Sequence, residues 1–316
     1  MGSLKYEIAH LPVDEHKLGN RRSAVMTQTI KAYRNDAIHF GEWCKKNYGA
    51  RHPEDCVPHL QDYADYLVAA GKSPSTVHKY RVGTCRVFDK DLKEIRKPRR
   101  VVANNTRSRG SKAVDLRSDA QREASPRLYD FAERVGIRRA EYAALRGTDF
   151  GEDAVGAYVL VRRGKGGKRQ KQRLLPEDVD FIRDYFDGSD DYVFSKKEMK
   201  NKIDLHHLRA VQGQRTYQYY AARCAAEPGY REKLLADIHL LWEEDDQVRI
   251  TNGLRPKRWS PRLYTGSYDL RGRTCQLAEE LGLPTGYDRL CVLAVSVLHL
   301  AHWRLDVTVD NYLLAK

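Results

Sequence analysis

Composition and charge set the first limits on what this chain can be. It has 316 residues, 41% of them hydrophobic and 31% charged, which suits a globular protein of two domains. Its 56 lysines and arginines outnumber its 43 aspartates and glutamates, so the net charge is +13. Such a surplus favours a polyanionic partner, with nucleic acid ahead of an anionic membrane surface.

The sequence also argues against membrane and secreted classes. No apolar stretch reaches the roughly eighteen residues of a membrane span, and the start of the chain has neither a signal-peptide core nor a myristoylation motif. The six cysteines form no CxxC pair, so we expect no zinc site and no disulfide framework. An intracellular, cytoplasmic protein fits these features best.

Apolar periodicity predicts that the chain begins with helices. Apolar residues recur at helical intervals over residues 22–45 and again over 57–70. Ser73 or Ser75 can cap a third helix, and Pro74 suits its first turn. We therefore predict that the N-terminal part of the chain is all-helical.

A basic stretch separates these helices from the rest of the chain. Lysine and arginine dominate residues 79–109, and apolar periodicity is lost after Arg96. We therefore predict a helical domain over 1–100, a basic extended linker over 101–112 and a second domain over 113–316. The linker is either a solvated segment or a strap along a phosphate backbone.

The second domain has a mixed pattern. Helices are predicted over 127–135 and 141–145. A strand over 157–161, a glycine-rich turn and a second short strand ending at 174–176 predict an antiparallel β-hairpin. Most of the remainder has a helical pattern, so the expected fold class is mainly α with a small antiparallel hairpin or sheet (α+β).

Two motifs in this domain combine glycine with a cation. Arg138 begins a predicted helix shortly after Gly136. Lys165 lies in the glycine-rich turn of the hairpin, where an ammonium group can reach a phosphate or a leaving oxygen. A surface arginine and a solvated basic turn are the simpler interpretations, and the turn lacks the spacing of a Walker motif.

Two further motifs carry histidine. His206 and Arg209 lie three residues apart, which places them on one helix face, where they can grip one phosphate. Tyr312 follows His302 by ten residues. Taken singly, these motifs also fit a capping histidine beside a surface arginine, and an aromatic side chain packed at a C-terminal helix.

In this order the motifs resemble those of the tyrosine recombinase superfamily, which includes the phage-type integrases. The family pattern is an arginine after a glycine–aliphatic pair, a lysine in a glycine-rich hairpin, a His-x-x-Arg box, a histidine in a Leu-Gly-His motif, and then the nucleophilic tyrosine. The matching positions are Arg138, Lys165, His206, Arg209, His302 and Tyr312. The N-terminal helices are similar to the family's SAM-like core-binding domain, so the resemblance covers nearly the whole chain. It implies that domain followed by a tyrosine recombinase catalytic domain.

The resemblance implies a site-specific DNA recombinase that cleaves and rejoins strands through a 3′-phosphotyrosine intermediate, to integrate or excise a mobile element. It implies no metal, no ATP and no other cofactor. The implied partners are double-stranded DNA at recombination sites, a homotetramer in the synaptic complex that assembles from free monomers, and accessory DNA-bending or directionality proteins. No membrane partner is implied, and the DNA-bound protein would be associated with the bacterial nucleoid.

The resemblance assigns three residues to the scissile phosphate. Arg138 and Arg209 would hold its non-bridging oxygens, because permanently charged guanidinium forks match the charge that builds up during attack. His302 would hydrogen-bond the same phosphate and orient the site.

Three other residues would move atoms and protons. Tyr312 would be the nucleophile, and His206 would accept its proton, because a tyrosine hydroxyl with a pKa near 10 is a poor nucleophile at neutral pH. Lys165 would protonate the leaving 5′ oxygen.

Some of these positions have neighbouring alternatives. Lys168 and Lys171 compete for the lysine position, Arg139 for the first arginine and His207 for the first histidine, although the family spacing favours the residues already chosen. A second box-like segment at 268–271 has a tyrosine where the histidine belongs, and we reject it for lack of an imidazole.

The chain departs from the family pattern at several points. Residues 300–302 read Leu-Ala-His in place of Leu-Gly-His, and Tyr312 lies one residue farther along than is usual. The long interval before this motif indicates an insertion around 225–285, and Tyr-Asp-Arg at 287–289 resembles some integrases of Gram-positive mobile elements. Because four residues follow Tyr312, we expect protomers to dock through another surface or through the insertion.

A DNA-contact surface is predicted on the third helix, the turn before it and the linker. Base-edge contacts and DNA shape would supply its specificity. The candidates for phosphate or base contact are Lys72, Ser75, Thr76, His78, Lys79, Arg81, Arg99 and Arg100.

Two other functions fit the same residues. One is strand nicking and religation by a monomer, as in type IB topoisomerases. The other is sequence-specific DNA binding by a catalytically idle protein of this fold.

Overall fold

The computed structural model describes residues 2–13, 23–98, 119–164 and 169–314, apart from residues 252, 254 and 257. The protein is mainly helical, with one three-stranded and one two-stranded antiparallel sheet. The chain divides into two compact units, residues 1–108 and 109–316. In the described ranges, no helix combines the length and the apolarity that a bilayer crossing requires.

The first unit is built from helices, as its sequence pattern predicts. Short 3₁₀ turns follow α3 and α5. The helices are α1 (Leu4–His10), α2 (Ser23–Tyr48), α3 (Pro53–Cys56), α4 (Leu60–Ala69) and α5 (Pro74–Val87).

Local sequence explains where α5 begins. The side chain of Ser73 accepts a hydrogen bond from the backbone N–H of Thr76, and Pro74 occupies the first helical position. The predicted cap and proline are therefore confirmed, with Ser73 as the capping residue. Helix α1 was not predicted, because its buried Leu4 and Ile8 make too short a pattern to identify a helix.

The core of the first unit lies between α2, α4 and α5. Phe40, Tyr63, Val77 and Phe88 are among its buried side chains. Close packing here depends on glycine, since a Cβ on Gly41 would collide with the side chain of Ile8 in α1.

The second unit adds two sheets to its helices. The helices are α6 (Asp119–Ala124), α7 (Pro126–Arg134), α8 (Arg139–Tyr142), α9 (Val179–Arg183), α10 (Leu205–Ala226), α11 (Tyr230–Thr251), α12 (Gly272–Glu280), α13 (Arg289–Ala294) and α14 (Leu305–Thr308). The strands are β1 (Phe150–Asp153), β2 (Gly156–Val161), β3 (Gln170–Arg173), β4 (Ser267–Asp269) and β5 (Gly286–Asp288).

The predicted hairpin is confirmed as the β2–β3 pair. Val159 pairs with Gln172 in the antiparallel register, and β1 adds a third strand on the other side of β2. Strand β1 and the β4–β5 pair were not predicted, because such short strands carry little alternation to identify them.

The segment interpreted as an insertion is packed into the second unit. Its longest element is α11, whose Leu234 and Ile238 are buried in one cluster with Leu290 and Leu293 of α13. Strand β4 pairs with β5, which lies next to α13 in the chain. Residues 225–285 therefore contribute to the core of this unit.

Helix α10 runs through the centre of the second unit. Arg209, Gln212, Thr216 and Tyr220 lie at helical spacing on α10 and are all buried. A π-helical turn at Val295–His299 and another at Val309–Leu313 pack against this helix. These three elements position the residues described next.

Candidate active site

Arg138 lies at the start of α8, in the position that caps its N-terminus. Its backbone N–H donates to Oε2 of Glu141 at 2.8 Å, and its guanidinium donates to Oε1 of the same carboxylate at 2.7 Å. Glu141 is 4% exposed, whereas the side chain of Arg138 is 32% exposed. Glu141 was not predicted as a site residue, although its place three residues after a helix start is a capping signal.

The neighbouring Arg139 is held elsewhere. Its guanidinium donates to the Asn201 side chain at 3.2 Å and to the backbone carbonyl of Ile203. These bonds fix the segment before α10. The contacts therefore favour Arg138 over Arg139 as the arginine that faces a ligand.

Arg209 is the largest fully buried side chain of this unit, with 1% exposure. Its guanidinium donates to the carbonyl of Gly136 and, at 2.7 Å, to the carbonyl of Leu300. Among the described residues, no carboxylate lies within ion-pair distance of it, and its Nε–H has no partner. Burial lowers the pKa of Arg209, while the nearby Tyr312 oxygen opposes that shift.

His206 lies in the first turn of α10, beside Arg209. Asp204 caps this helix by accepting hydrogen bonds from the backbone N–H groups of His206 and His207. A cavity of about 210 Å³ opens here, and its polar lining residues are Arg138, Arg139, Asp204, His206 and Arg209. The two predicted arginines and the first histidine thus face one space.

Tyr312 lies on the π-helical turn Val309–Leu313, with 6% exposure. The centre of its ring is 5.5 Å from Cζ of Arg209 and 5.6 Å from the centre of the His206 ring. A Cβ on Gly213 of α10 would lie 3.4 Å from Cβ of Tyr312, an ordinary van der Waals distance, so Tyr312 packs directly against this part of α10.

His302 completes the group, with its ring centre 6.1 Å from that of Tyr312. Because the Ser296 hydroxyl donates to the backbone carbonyl of His302, we assign Nδ1 as the donor to Ser296 Oγ, at 3.0 Å. Nε2 then carries the lone pair, and it has no partner among the described residues. Burial, together with the charges of Arg209 and Arg138, lowers the pKa of His302 to about 4.

A residue in the left-handed backbone conformation determines where the side chain of His302 points. Ala301 has φ of +49°, a conformation in which glycine is far more comfortable than alanine. It occupies the place where the family has glycine. In this chain an alanine therefore adopts the left-handed conformation.

The lysine position lies outside the described residues. Residues 165–168 of the turn include both Lys165 and Lys168. The remaining alternative, Lys171 on β3, donates to Asp153 at 2.7 Å and lies 3.9 Å from Glu244. The ammonium group of Lys171 is thus already engaged by carboxylates.

The rejected box at 268–271 lies apart from these residues. Tyr268 and Arg271 line a different cavity of about 430 Å³, together with Arg289 and Asp310. The cavity beside Arg209 does not include them.

The DNA-contact candidates of the first unit have different surroundings. Lys72, Ser75 and His78 are exposed, and Thr76 is half-buried with its hydroxyl on Ser73. Lys79 is exposed and forms an ion pair of 2.9 Å with the buried Asp36. Arg99 and Arg100 lie outside the described residues.

Arg81 differs from its prediction. Its side chain is buried and donates to the backbone carbonyls of Leu92 and Ile95. Helical spacing alone could not distinguish this inward orientation from an outward one. Its guanidinium therefore holds the segment after α5 and is not presented on the surface.

No family model matches this chain, and no curated protein matches it either. Within the described part of the chain, no group of three or more His, Cys, Asp or Glu side chains could hold a metal ion.

Proposed function

We propose that this protein is a tyrosine recombinase, which cleaves and rejoins DNA strands through a covalent link to Tyr312. One observation carries the proposal. The ring of Tyr312 lies beside His206 and Arg209 of α10 and beside His302, which is about ninety residues farther along the chain. These are the residue types that phosphoryl transfer to a tyrosine requires.

The electrostatics of the site support an anionic ligand. Arg209 is a buried charge without an ion-pair partner in the described ranges, and Arg138 has one carboxylate partner. A buried charge is costly unless an opposite charge compensates for it. A phosphodiester between the two guanidinium groups would supply that charge, and the cavity between them is open to receive it.

The reaction then follows from the placement of the donors and acceptors. The Tyr312 oxygen attacks the phosphorus, and the bond from phosphorus to the 5′ oxygen breaks. His206 or His302, which both adjoin the Tyr312 ring, accepts the tyrosine proton. Lys165, in the turn that the structure does not describe, is proposed to protonate the leaving oxygen. The products are a 3′-phosphotyrosyl link and a free 5′ hydroxyl, so a second 5′ hydroxyl can reverse the step.

The substrate, the assembly and the cellular role of the protein belong to the same proposal. Double-stranded DNA is the substrate, and the net charge of +13 favours its binding. A SAM-like core-binding domain would hold the DNA beside the catalytic domain, four protomers would join two duplexes, and accessory proteins would set direction. The protein would act in the cytoplasm, on nucleoid DNA, to integrate or excise a mobile element.

The test is adduct formation on DNA. The protein is incubated with nicked suicide duplexes from its own genomic neighbourhood, in the presence of a metal chelator, and the products are run on a denaturing gel. We expect a protein–DNA adduct that is lost in Tyr312→Phe and retained in Tyr192→Phe, a matched change at an exposed tyrosine.

The other outcomes identify the alternatives. Tight binding without an adduct on any duplex would indicate an idle DNA-binding protein. An adduct that religates without ever joining two duplexes would indicate a topoisomerase-like enzyme.

A further inference from the structure

A second histidine lies directly beneath the candidate site. His299 ends the π-helical turn Val295–His299 and is 0% exposed. Its Nε2 lies 2.8 Å from the hydroxyl of Tyr220, and its Nδ1 lies 3.1 Å from Nε2 of Gln212. Both partners lie on α10, about two helical turns apart. The ring therefore joins this turn to that helix at two points.

The chemistry of the partners fixes the state of the ring. The Gln212 amide faces His299 with its Nε2, which can only donate, so Nδ1 accepts. Nε2 of His299 then carries the proton and donates to the Tyr220 oxygen. Burial, together with the charge of Arg173, lowers the pKa of His299 to about 3. The ring is a neutral imidazole in one tautomer, with both nitrogens bonded, so it has no capacity left for a reacting group.

The residues that form these hydrogen bonds lie next to both backbone carbonyls that accept from Arg209. His299 immediately precedes Leu300, whose carbonyl accepts from Arg209 at 2.7 Å. Gln212 packs against Gly136, whose carbonyl accepts the other guanidinium bond, and a Cβ on that glycine would lie 2.7 Å from Gln212 Oε1. Displacement of His299 or Gln212 would therefore move an acceptor of the buried arginine.

His302 depends on the same segment. It follows Leu300 after one left-handed residue, and its backbone N–H donates to the carbonyl of Ser296 at 2.9 Å. The position of its ring is thus set by where the π-helical turn ends. His299 is the last residue of that turn, and its hydrogen bonds to Tyr220 and Gln212 fix its position.

We propose that His299 is a positioning residue, which locks the Leu300 carbonyl and the His302 ring against α10 and so aligns Arg209 with the scissile phosphate. The proposal rests on the function proposed above. It assigns His299, Gln212 and Tyr220 to one unit that acts through Arg209 and His302, without contact to DNA.

The test uses variants that keep the packing. Tyr220→Phe and Gln212→Met each remove one bond to His299, and their rates of adduct formation are measured at saturating DNA in single turnover. We expect each rate to fall about 10- to 100-fold, with DNA affinity within about twofold of the wild type, because a misplacement of about 1 Å is enough for such a loss. The double variant should lose little more than either single one, since both changes release the same ring.

A neutral substrate separates positioning from general destabilisation. In a duplex with a methylphosphonate at the scissile position, a methyl group replaces one charged non-bridging oxygen, so Arg209 has less negative charge to stabilise. The rate loss in both variants should shrink at least about fivefold on this substrate. An equal loss on both substrates would overturn the proposal. The control is Tyr185→Phe, which removes a tyrosine hydroxyl that donates to the Arg127 carbonyl at 3.0 Å and should leave both rates unchanged.

A measurement without DNA keeps the two proposals distinguishable. In protein labelled at histidine, the ring signals of His302 should shift in Tyr220→Phe and in Gln212→Met, and stay in place in Tyr185→Phe. Unchanged His302 signals would refute the role of His299 even if the wild type cleaves DNA. Shifted signals in a protein that forms no adduct would support the positioning and count against the recombinase function alone.

Discussion

The guanidinium carbon of Arg209 lies 5.5 Å from the centre of the Tyr312 ring, so the aromatic face and the buried cation are direct neighbours. This contact stabilises a charge that has no carboxylate partner within the described ranges. It also places the candidate nucleophile next to the group that would neutralise the phosphate. The arginine and the tyrosine are therefore best understood as one unit.

Replacement of Arg209 by lysine should damage both chemistry and stability. A single ammonium cannot donate to the Gly136 and Leu300 carbonyls and to a phosphate at once. We expect the rate of adduct formation to fall at least about 100-fold, and the free energy of unfolding to fall by about 1–3 kcal/mol. Single-turnover cleavage and urea denaturation measure the two effects. Cleavage within threefold of the wild type would contradict this role.

The two adjacent arginines should separate into one for chemistry and one for structure. Arg138→Lys should abolish adduct formation with little loss of stability, because an ammonium group keeps a cation beside the buried Glu141 but cannot hold a phosphate with two donors. Arg139→Ala should lower the free energy of unfolding by about 1–2 kcal/mol while cleavage persists, since it removes bonds to Asn201 and Ile203. Gel assays and denaturation on both variants test this, and the reverse pattern would exchange their roles.

Ala301→Gly should make the protein more stable. Alanine at φ of +49° is strained by about 1–2 kcal/mol, whereas glycine adopts this conformation freely and loses about 0.5–1 kcal/mol through its more flexible unfolded chain. We expect a net gain of about 0.5–1 kcal/mol in the free energy of unfolding, measured by urea denaturation. Ala301→Val, which worsens the strain, is the control and should destabilise.

Stability should fall as the pH falls from 7 to 5, in part through His299. Its pKa is lowered from 6.5 to about 3 in the folded protein. The unfolded chain therefore binds a proton in this window while the folded protein does not, and this group alone removes about 2 kcal/mol by pH 5. In His299→Gln the difference between the two pH values should be smaller by about that amount. The exposed His78→Gln is the control, and an unchanged difference in His299→Gln would show that His299 is not protonated on unfolding.

Local signals in the sequence predicted the elements that local contacts build. Helix α5 begins where Ser73 and Pro74 indicate, and the hairpin forms between the two predicted strands. The order of the arginine, histidine and tyrosine motifs is likewise a property of the sequence. Strand β1 escaped prediction, because four residues paired on one side carry too little pattern.

Only the tertiary structure decides between neighbours of the same type. His299 and His302 lie three residues apart in one motif, yet one is sealed between Gln212 and Tyr220 while the other turns toward Tyr312. That choice depends on contacts with α10, which is distant in sequence. No local pattern encodes such contacts.

The sequence by itself determined the chemical groups, their order along the chain, the mainly helical fold and the excess of positive charge. The tertiary structure decided that Arg139 bonds to Asn201 and Ile203, that Arg81 is buried, and that Glu141 holds Arg138. The physical reason is the same in each case. A side chain's propensity acts over a few residues, whereas its burial and its hydrogen-bond partners depend on segments that only the folded chain brings together.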